Sequence, residues 1–233
     1  MASIHNAARN GNLNRVRALL NSGANINTRD NVGQTALIHA ATPGHLEVVR
    51  LLLNRGANIN TRDDEEGGTA LIYAASSGQL PLVKLLLNRG ANVNARDNEG
   101  SSALMSAAYI GETEIVRELL NRGANINARD ISRESALMHV AYSGHLPVVR
   151  LLLKRGANTN GILNNPRMRA NVKNAIMKHK AGLKIQNYKK ASNMRRRAAS
   201  AKALNNVRTP NGRPLPPNSI RSIMSMLKSR SPK

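Results

Sequence analysis

The sequence predicts an all-α solenoid, a stack of helix-turn-helix repeats joined by hairpin loops, followed by a basic tail that is partly helical or disordered. Three observations predict it. The first is a recurring phrase: GANINTRD at Gly23–Asp30 and Gly56–Asp63, GANVNARD at Gly90–Asp97, GANINARD at Gly123–Asp130, and a last variant GANTNGIL from Gly156. Its first glycines are 33, 34, 33 and 33 residues apart, and a fixed period of this size marks one supersecondary unit stacked on copies of itself. The second is composition: with four Tyr and neither Phe nor Trp, the core must be built from Leu, Val, Ile, Met and Ala, which suits thin helical layers. The third is a division of charge. Residues 1–160 hold 17 Lys/Arg against all 13 Asp/Glu, a net +4, whereas residues 161–233 hold 18 Lys/Arg and no acid.

Along the chain, residues 1–162 read as the solenoid, an N-terminal half-repeat followed by full repeats at 30–62, 63–96, 97–129 and 130–162. In the first full repeat Thr35–Ala41 (TALIHAA) forms a short first helix, Gly44 marks the turn, and His45–Asn58 carries the second helix. Leu46, Val49, Leu52 and Leu53 recur there at helical spacing, a stripe that needs a neighbour. Glu47 and Glu114, or Pro81 and Pro147 at the equivalent place, lie in the first turn, where an acid suits the helix dipole and proline loses no hydrogen bond. Arg55, Arg89, Arg122 and Arg155 lie in the last turn, and the glycine that follows each can take the left-handed conformation that closes a helix. The polar run after it turns the chain into the next unit. Beyond the last repeat, residues 163–180 read as a C-terminal capping helix that starts at Asn165-Pro166, with Met168, Val172, Ala175 and Ile176 covering the final unit.

The repeat resembles the ankyrin repeat, whose pattern runs D-x-x-G-x-T-P-L-H-x-A-A-x-x-G-H-L-x-x-V-x-x-L-L-x-x-G-A-D-x-N. Several positions depart from it. The family proline is Ala36, Ala70, Ala103 and Ala136, and the family histidine is Ile38, Ile72, Met105 and Met138, so its stabilising hydrogen bond is expected to be missing throughout. The aspartate of G-A-D is Asn throughout, Gly33 becomes Arg133 in the last repeat, and Asp63 reads as a one-residue insertion. The resemblance implies a protein-binding module whose first helices and hairpin tips line a concave face. The positions it leaves free of core duty are His39, Thr42 and Pro43; Tyr73, Ser76 and Ser77; Ser106, Tyr109 and Ile110; and His139, Tyr142 and Ser143. Three of the four tyrosines fall in this set, and tyrosine is a frequent interface anchor. The candidate partner-binding residues are therefore His39, Thr42, Tyr73, Ser76, Tyr109, Ile110, His139 and Tyr142. Asp63, Asp64, Glu65 and Glu66 form an acidic tip suited to a basic partner or to the chain's own tail.

An enzyme is not expected. The chain has no cysteine, which removes disulfides, thiolate metal sites and a cysteine nucleophile. Of the six histidines, His45 and His145 occupy a repeat position, while His39 and His139 lie three repeats apart and cannot share a metal. There is no HExxH motif and no phosphate-cradling glycine loop. Neither cofactor nor metal is expected. The first residues do not read as a secretory signal and no apolar run approaches the roughly 18 residues of a membrane span, so a soluble, monomeric protein of the cytoplasm or nucleus is expected.

The tail, residues 181–233, carries its densest charge at Lys189-Lys190 and Arg195-Arg196-Arg197. Such a run binds polyanions, nucleic acid among them, by counterion release, and it also reads as a nuclear-import signal. Arg195-x-Arg197-x-x-Ser200 resembles a basophilic-kinase site. At the end, Ile220, Ile223, Met224 and Leu227 would share one face of a short amphipathic helix. Leu215-Pro216-x-x-x-Ile220-x-x-Ile223-Met224-x-x-Leu227 resembles the opening of the F-box, with Asn218 in place of its usual Glu, including the truncated form found in ankyrin proteins of large DNA viruses. That resemblance implies an alternative, a substrate adaptor for a cullin-type ubiquitin ligase.

Overall fold

The computed structural model describes residues 3–164 and 168–205, with Pro216, Asn218, Ser219, Ser222 and Ser225 beyond them. The chain divides into two compact units, Met1–Ile176 and Met177–Lys233. The first is a run of five helix pairs: α1 (Ile4–Arg9) with α2 (Leu13–Asn21), α3 (Ala36–Ala41) with α4 (Leu46–Asn54), α5 (Ala70–Ser76) with α6 (Leu80–Asn88), α7 (Ala103–Ile110) with α8 (Thr113–Asn121), and α9 (Ala136–Ser143) with α10 (Leu146–Lys154). The segment before Gly23, read above as a half-repeat, thus carries both helices. No named strand occurs among the described residues, where only two isolated bridges, Arg29 with Thr35 and Arg96 with Ser102, pinch the hairpins.

Local chemistry explains the starts of three first helices and the stops of four second helices. The Thr35, Thr69 and Ser102 hydroxyls accept the N–H of Ile38, Ile72 and Met105 at 3.5, 3.3 and 3.4 Å, so each supplies an N-cap. Arg55, Arg89, Arg122 and Arg155 stand at the C-cap, one residue past the last turn. The glycine after each is left-handed, as at Gly56 with φ 86°.

First helices pack on first helices (α1, α3, α5, α7, α9) and second helices on second helices (α2, α4, α6, α8, α10). The first helices are almost wholly buried; Ala36, Leu37, Ile38, Ala40 and Ala41 of α3 are all covered. Alanines four and five residues after the first, as Ala40 and Ala41 after Ala36, let the layers approach closely, which a chain without Phe or Trp requires. The second helices bury only a stripe, Val48, Val49 and Leu52 in α4, with Leu46 and Leu53 partly covered.

The second asparagine of each G-A-N-x-N run, which the family pattern shares, forms a ladder with the run of the next repeat. Asn27 Oδ1 accepts the N–H of Asn58 at 2.9 Å, Asn60 that of Asn92 at 2.9 Å, Asn94 that of Asn125 at 2.8 Å and Asn127 that of Asn158 at 2.8 Å. Within each turn the G-A-N asparagine accepts from the residue two ahead, as Asn25 does from the Asn27 N–H at 3.0 Å. Since only the acceptor oxygen of these G-A-N asparagines is used, Asn serves there where the family has Asp. The family histidine bond survives once, at His5, whose Nε2 donates to the Thr28 carbonyl at 2.8 Å.

The hairpin tips are stitched by one backbone bond per interface, Asp64 N–H to Val32 O at 3.0 Å, Asn98 N–H to Glu66 O at 2.8 Å and Ile131 N–H to Glu99 O at 2.9 Å. This register corrects the position of the extra residue. Asp63 is the regular repeat aspartate, and Glu65 is the residue left over between the stitched Asp64 and Glu66. At the fourth tip Arg133 holds φ 62° where the other hairpins use glycine.

After a single 3-10 turn (Ile162–Asn164), α11 runs from Ala170 to Asn205. Asn165-Pro166, expected as a helix start, lies outside the described residues. Val172 and Ile176 are fully buried in the solenoid's core. The helix passes residue 180 without a break; it contains no proline, and its one glycine, Gly182, costs only about 1 kcal/mol. In the second unit Lys189, Lys190, Arg195 and Arg196 are exposed on α11, as is Tyr188. Arg197 belongs to the same helix, its side chain outside the described residues.

Candidate partner-binding face

Every full repeat opens with an aspartate, and that aspartate organises the loop that leads to the first helix. Asp30 Oδ1 accepts the N–H of Val32 and Gln34 at 3.1 and 2.8 Å. Asp63 Oδ1 does the same for Glu66 and Gly67 at 2.8 and 3.1 Å, Asp97 for Ser101 at 2.7 Å and Asp130 for Glu134 at 2.8 Å. The second carboxylate oxygen then points along the repeat to the middle of the first helix, nine or ten residues ahead. There it meets His39 Nε2 at 2.7 Å, the Tyr73 hydroxyl at 2.6 Å and His139 Nε2 at 2.8 Å. The recurrent Asp was the signal in the sequence, but its target was not visible there.

These pairs change the standing of three residues expected to meet a partner. The His39 side chain is only 3% exposed, because it lies between Asp30 and Arg9, whose guanidinium donates to Nδ1 at 3.1 and 3.2 Å. Arginine can only donate, so Nδ1 carries no proton and the ring is neutral. Burial, reinforced by the Arg9 charge, holds the His39 pKa below the usual histidine range against the pull of Asp30. Burial works against ionised Asp30, but the bonds from His39, Gln34 and Val32 outweigh it and lower its pKa. Tyr73 is half-buried and donates to Asp63 and, at 3.2 Å, to Glu66. Burial first, then the two carboxylates, raise its pKa far above the ordinary tyrosine value. Asp63, expected at the acidic tip, is 4% exposed because it caps its loop, which leaves Asp64, Glu65 and Glu66 at the surface. Asp64 pairs with Arg29 at 2.7 Å.

The other expected residues are placed differently. Tyr109 and Ile110 are 56% and 37% exposed at the end of α7. Tyr109 stands edge-on to the His139 ring, centroids 6.4 Å apart. Thr42 and Ser76 are exposed, each hydroxyl donating to a carbonyl of its own helix. Tyr142 is half-buried and donates to Glu134 at 2.6 Å. His139 is half-buried. Leu215, Ile220, Ile223, Met224 and Leu227 of the F-box-like segment lie outside the described residues, and the isolated Pro216 is exposed.

Hollows open along this face. One, of about 440 Å³, lies between the first two full repeats against Arg9, His39, Thr42, Glu65, Glu66 and Tyr73. Another, of about 340 Å³, is lined by Asp97, Met105, Ser106, Tyr109, Ile110 and His139 among others. Asp130, Glu134 and His139 bring three potential metal-ligand atoms within 4.8 Å of one another. Each is already engaged: Asp130 with His139 and the Glu134 N–H, Glu134 with Tyr142.

Stacked helix pairs, a hairpin loop per repeat and a hollowed first-helix face define a repeat solenoid of the kind that presents an extended binding surface. The family model for ankyrin repeats in three copies matches residues 4–97 and 91–162, more than half of the chain, and the chain belongs to that family. Among curated proteins none matches it. The repeats are a protein-protein interaction module. No helix among the described residues is long and apolar enough to cross a membrane.

Proposed function

We propose that the chain is a non-enzymatic scaffold that binds a protein partner on its first-helix face, with Tyr109 and Ile110 as the central anchors. The exposure of these two residues beside the 340 Å³ hollow carries the reading. Elsewhere in the first helices of the full repeats the aliphatic side chains are buried or partly buried, and His39, Tyr73 and His139 bond to their own loop aspartates, so an exposed Tyr-Ile pair in mid-solenoid has no duty to the core. Aromatic anchors next to a hollow are where interface energy concentrates. Captured by cross-linking to the full chain, the partner should bind Tyr109→Ala about tenfold more weakly or worse, at an unchanged melting temperature. Undiminished capture by both Tyr109→Ala and Ile110→Ala would remove this face from consideration.

A second activity rests on α11. Lys189, Lys190, Arg195 and Arg196 are exposed on one continuous helix without a single acid, which suits contact with nucleic-acid phosphates. Tyr188 is its one aromatic residue, so base stacking contributes little and binding should show little sequence preference.

A further inference from the structure

Of the four loop aspartates, three are paired with a ring and one is not. In repeats one, two and four the loop aspartate is met by a ring of the same repeat, His39, Tyr73 or His139. At the same place the third repeat has Ser106, whose hydroxyl is too short to reach Asp97 and donates instead to Ser102 O at 3.3 Å. Among the described residues no side chain donates to Asp97. The place such a ring would take opens into the 340 Å³ hollow, with Asp97 and Ser106 in its lining and Met105, Tyr109 and Ile110 as apolar walls. It is therefore a hollow with room for a ring, a notch in which the Asp97 carboxylate receives no side-chain donor.

The chain's own repeats show which ring fits. Tyr73 is accompanied by Gly68, where an added Cβ would come within 2.5 Å of the phenol ring. The histidine repeats carry side chains at that place, Gln34 and Glu134, and the third repeat carries Ser101. The third repeat thus has the loop that goes with an imidazole. We propose that the notch receives an imidazole, a histidine side chain of the docked partner, whose N–H donates to Asp97 while its ring packs between Met105 and Tyr109. This rests on the reading of the face as a partner-binding surface and assigns that surface a specificity pocket. Nearby Glu65, Glu66 and Glu99, which with Asp97 line an adjoining hollow, favour the protonated ring over a neutral one.

The test uses the full chain and 4-methylimidazole as the probe, followed by methyl NMR at Met105 and Ile110. Saturable shifts are expected. Asp97→Asn, which keeps the acceptor for the Ser101 N–H, should weaken binding about tenfold by replacing a charge-assisted bond with a neutral one. Ser106→His should fill the notch from within, abolish the probe's shifts and raise the melting temperature. No saturable shift, equal binding of p-cresol or N-acetylarginine amide, or unaltered binding by Asp97→Asn would each overturn the assignment. These outcomes are separate from the capture experiment: a notch that ignores imidazole leaves Tyr109 and Ile110 as anchors, whereas failure of capture to respond at those residues sinks the wider reading.

Discussion

Tyr73→Phe removes one oxygen atom and isolates the contribution of a loop aspartate. Asp63 is 4% exposed and its Oδ2 accepts the Tyr73 hydroxyl at 2.6 Å, while Oδ1 is occupied by the Glu66 and Gly67 N–H groups at 2.8 and 3.1 Å. Phe leaves the ring packing in place and strips a buried carboxylate oxygen of its donor. A hydrogen bond to a charged group is worth about 1.5–3 kcal/mol. In a unit of this size each kcal/mol lowers the melting temperature by about 2–4 °C, so the loss should be on the order of 3–12 °C. Urea denaturation followed by circular dichroism measures the free energy, and hydrogen exchange should place the loss in the second repeat and its neighbours, because solenoid repeats couple chiefly to the units they touch. In an Asp63→Asn background the same change should cost less, about 1 kcal/mol, since the acceptor is then neutral. A Tyr73→Phe chain that unfolds at the wild-type midpoint would refute the reasoning, as would an equal loss in both backgrounds. Tyr73 is then a structural residue first, and its substitution cannot report on partner binding alone.

Other consequences can be measured on the same chain. The lowered pKa of His39 means that the folded state binds its proton less readily than the unfolded chain, so this contribution is complete above about pH 6.5, the ordinary histidine value, and fades as the pH falls below it. Asp30, also lowered, acts in the same direction around and below the ordinary carboxylate range. Protonation of His39 would also break the Arg9 bond at Nδ1, so His39→Gln should flatten the decline in melting temperature between pH 7 and 5.5; an unchanged decline would locate the acid sensitivity elsewhere. Arg133→Gly should stabilise the fourth repeat by about 0.5–1 kcal/mol in urea denaturation, the left-handed strain at φ 62° outweighing glycine's greater unfolded-state entropy; a destabilised variant would show that the Arg133 side chain contributes more than the strain costs. For the basic helix, contact with about six phosphates gives a slope on the order of −5 for log affinity against log salt on duplex DNA. Replacing Arg195, Arg196 and Arg197 with Gln should flatten that slope by about two or three units, and salt-insensitive binding would show that the charge serves something else.

The period, the helix pairs of the full repeats and the glycine stops were legible in the sequence because each rests on short-range rules: apolar spacing within nine residues and a glycine at a left-handed turn. The burial of alanine-rich first helices followed from composition, since a chain without Phe or Trp must let its layers approach closely. Which polar residues remain free was settled by side-chain reach between a loop and the helix it precedes. Asp30 and His39, or Asp63 and Tyr73, are nine and ten residues apart, a separation that matches neither helix nor strand periodicity, and only the folded hairpin brings them together. For the same reason the extra residue in the second repeat could not be placed by aligning letters: Asp63 looked inserted until the loop register identified Glu65. The notch at Ser106 is the clearest case. In the sequence it is one small residue at a variable position, and it becomes a site only because the tertiary structure aligns it with three rings and an aspartate that has lost its donor.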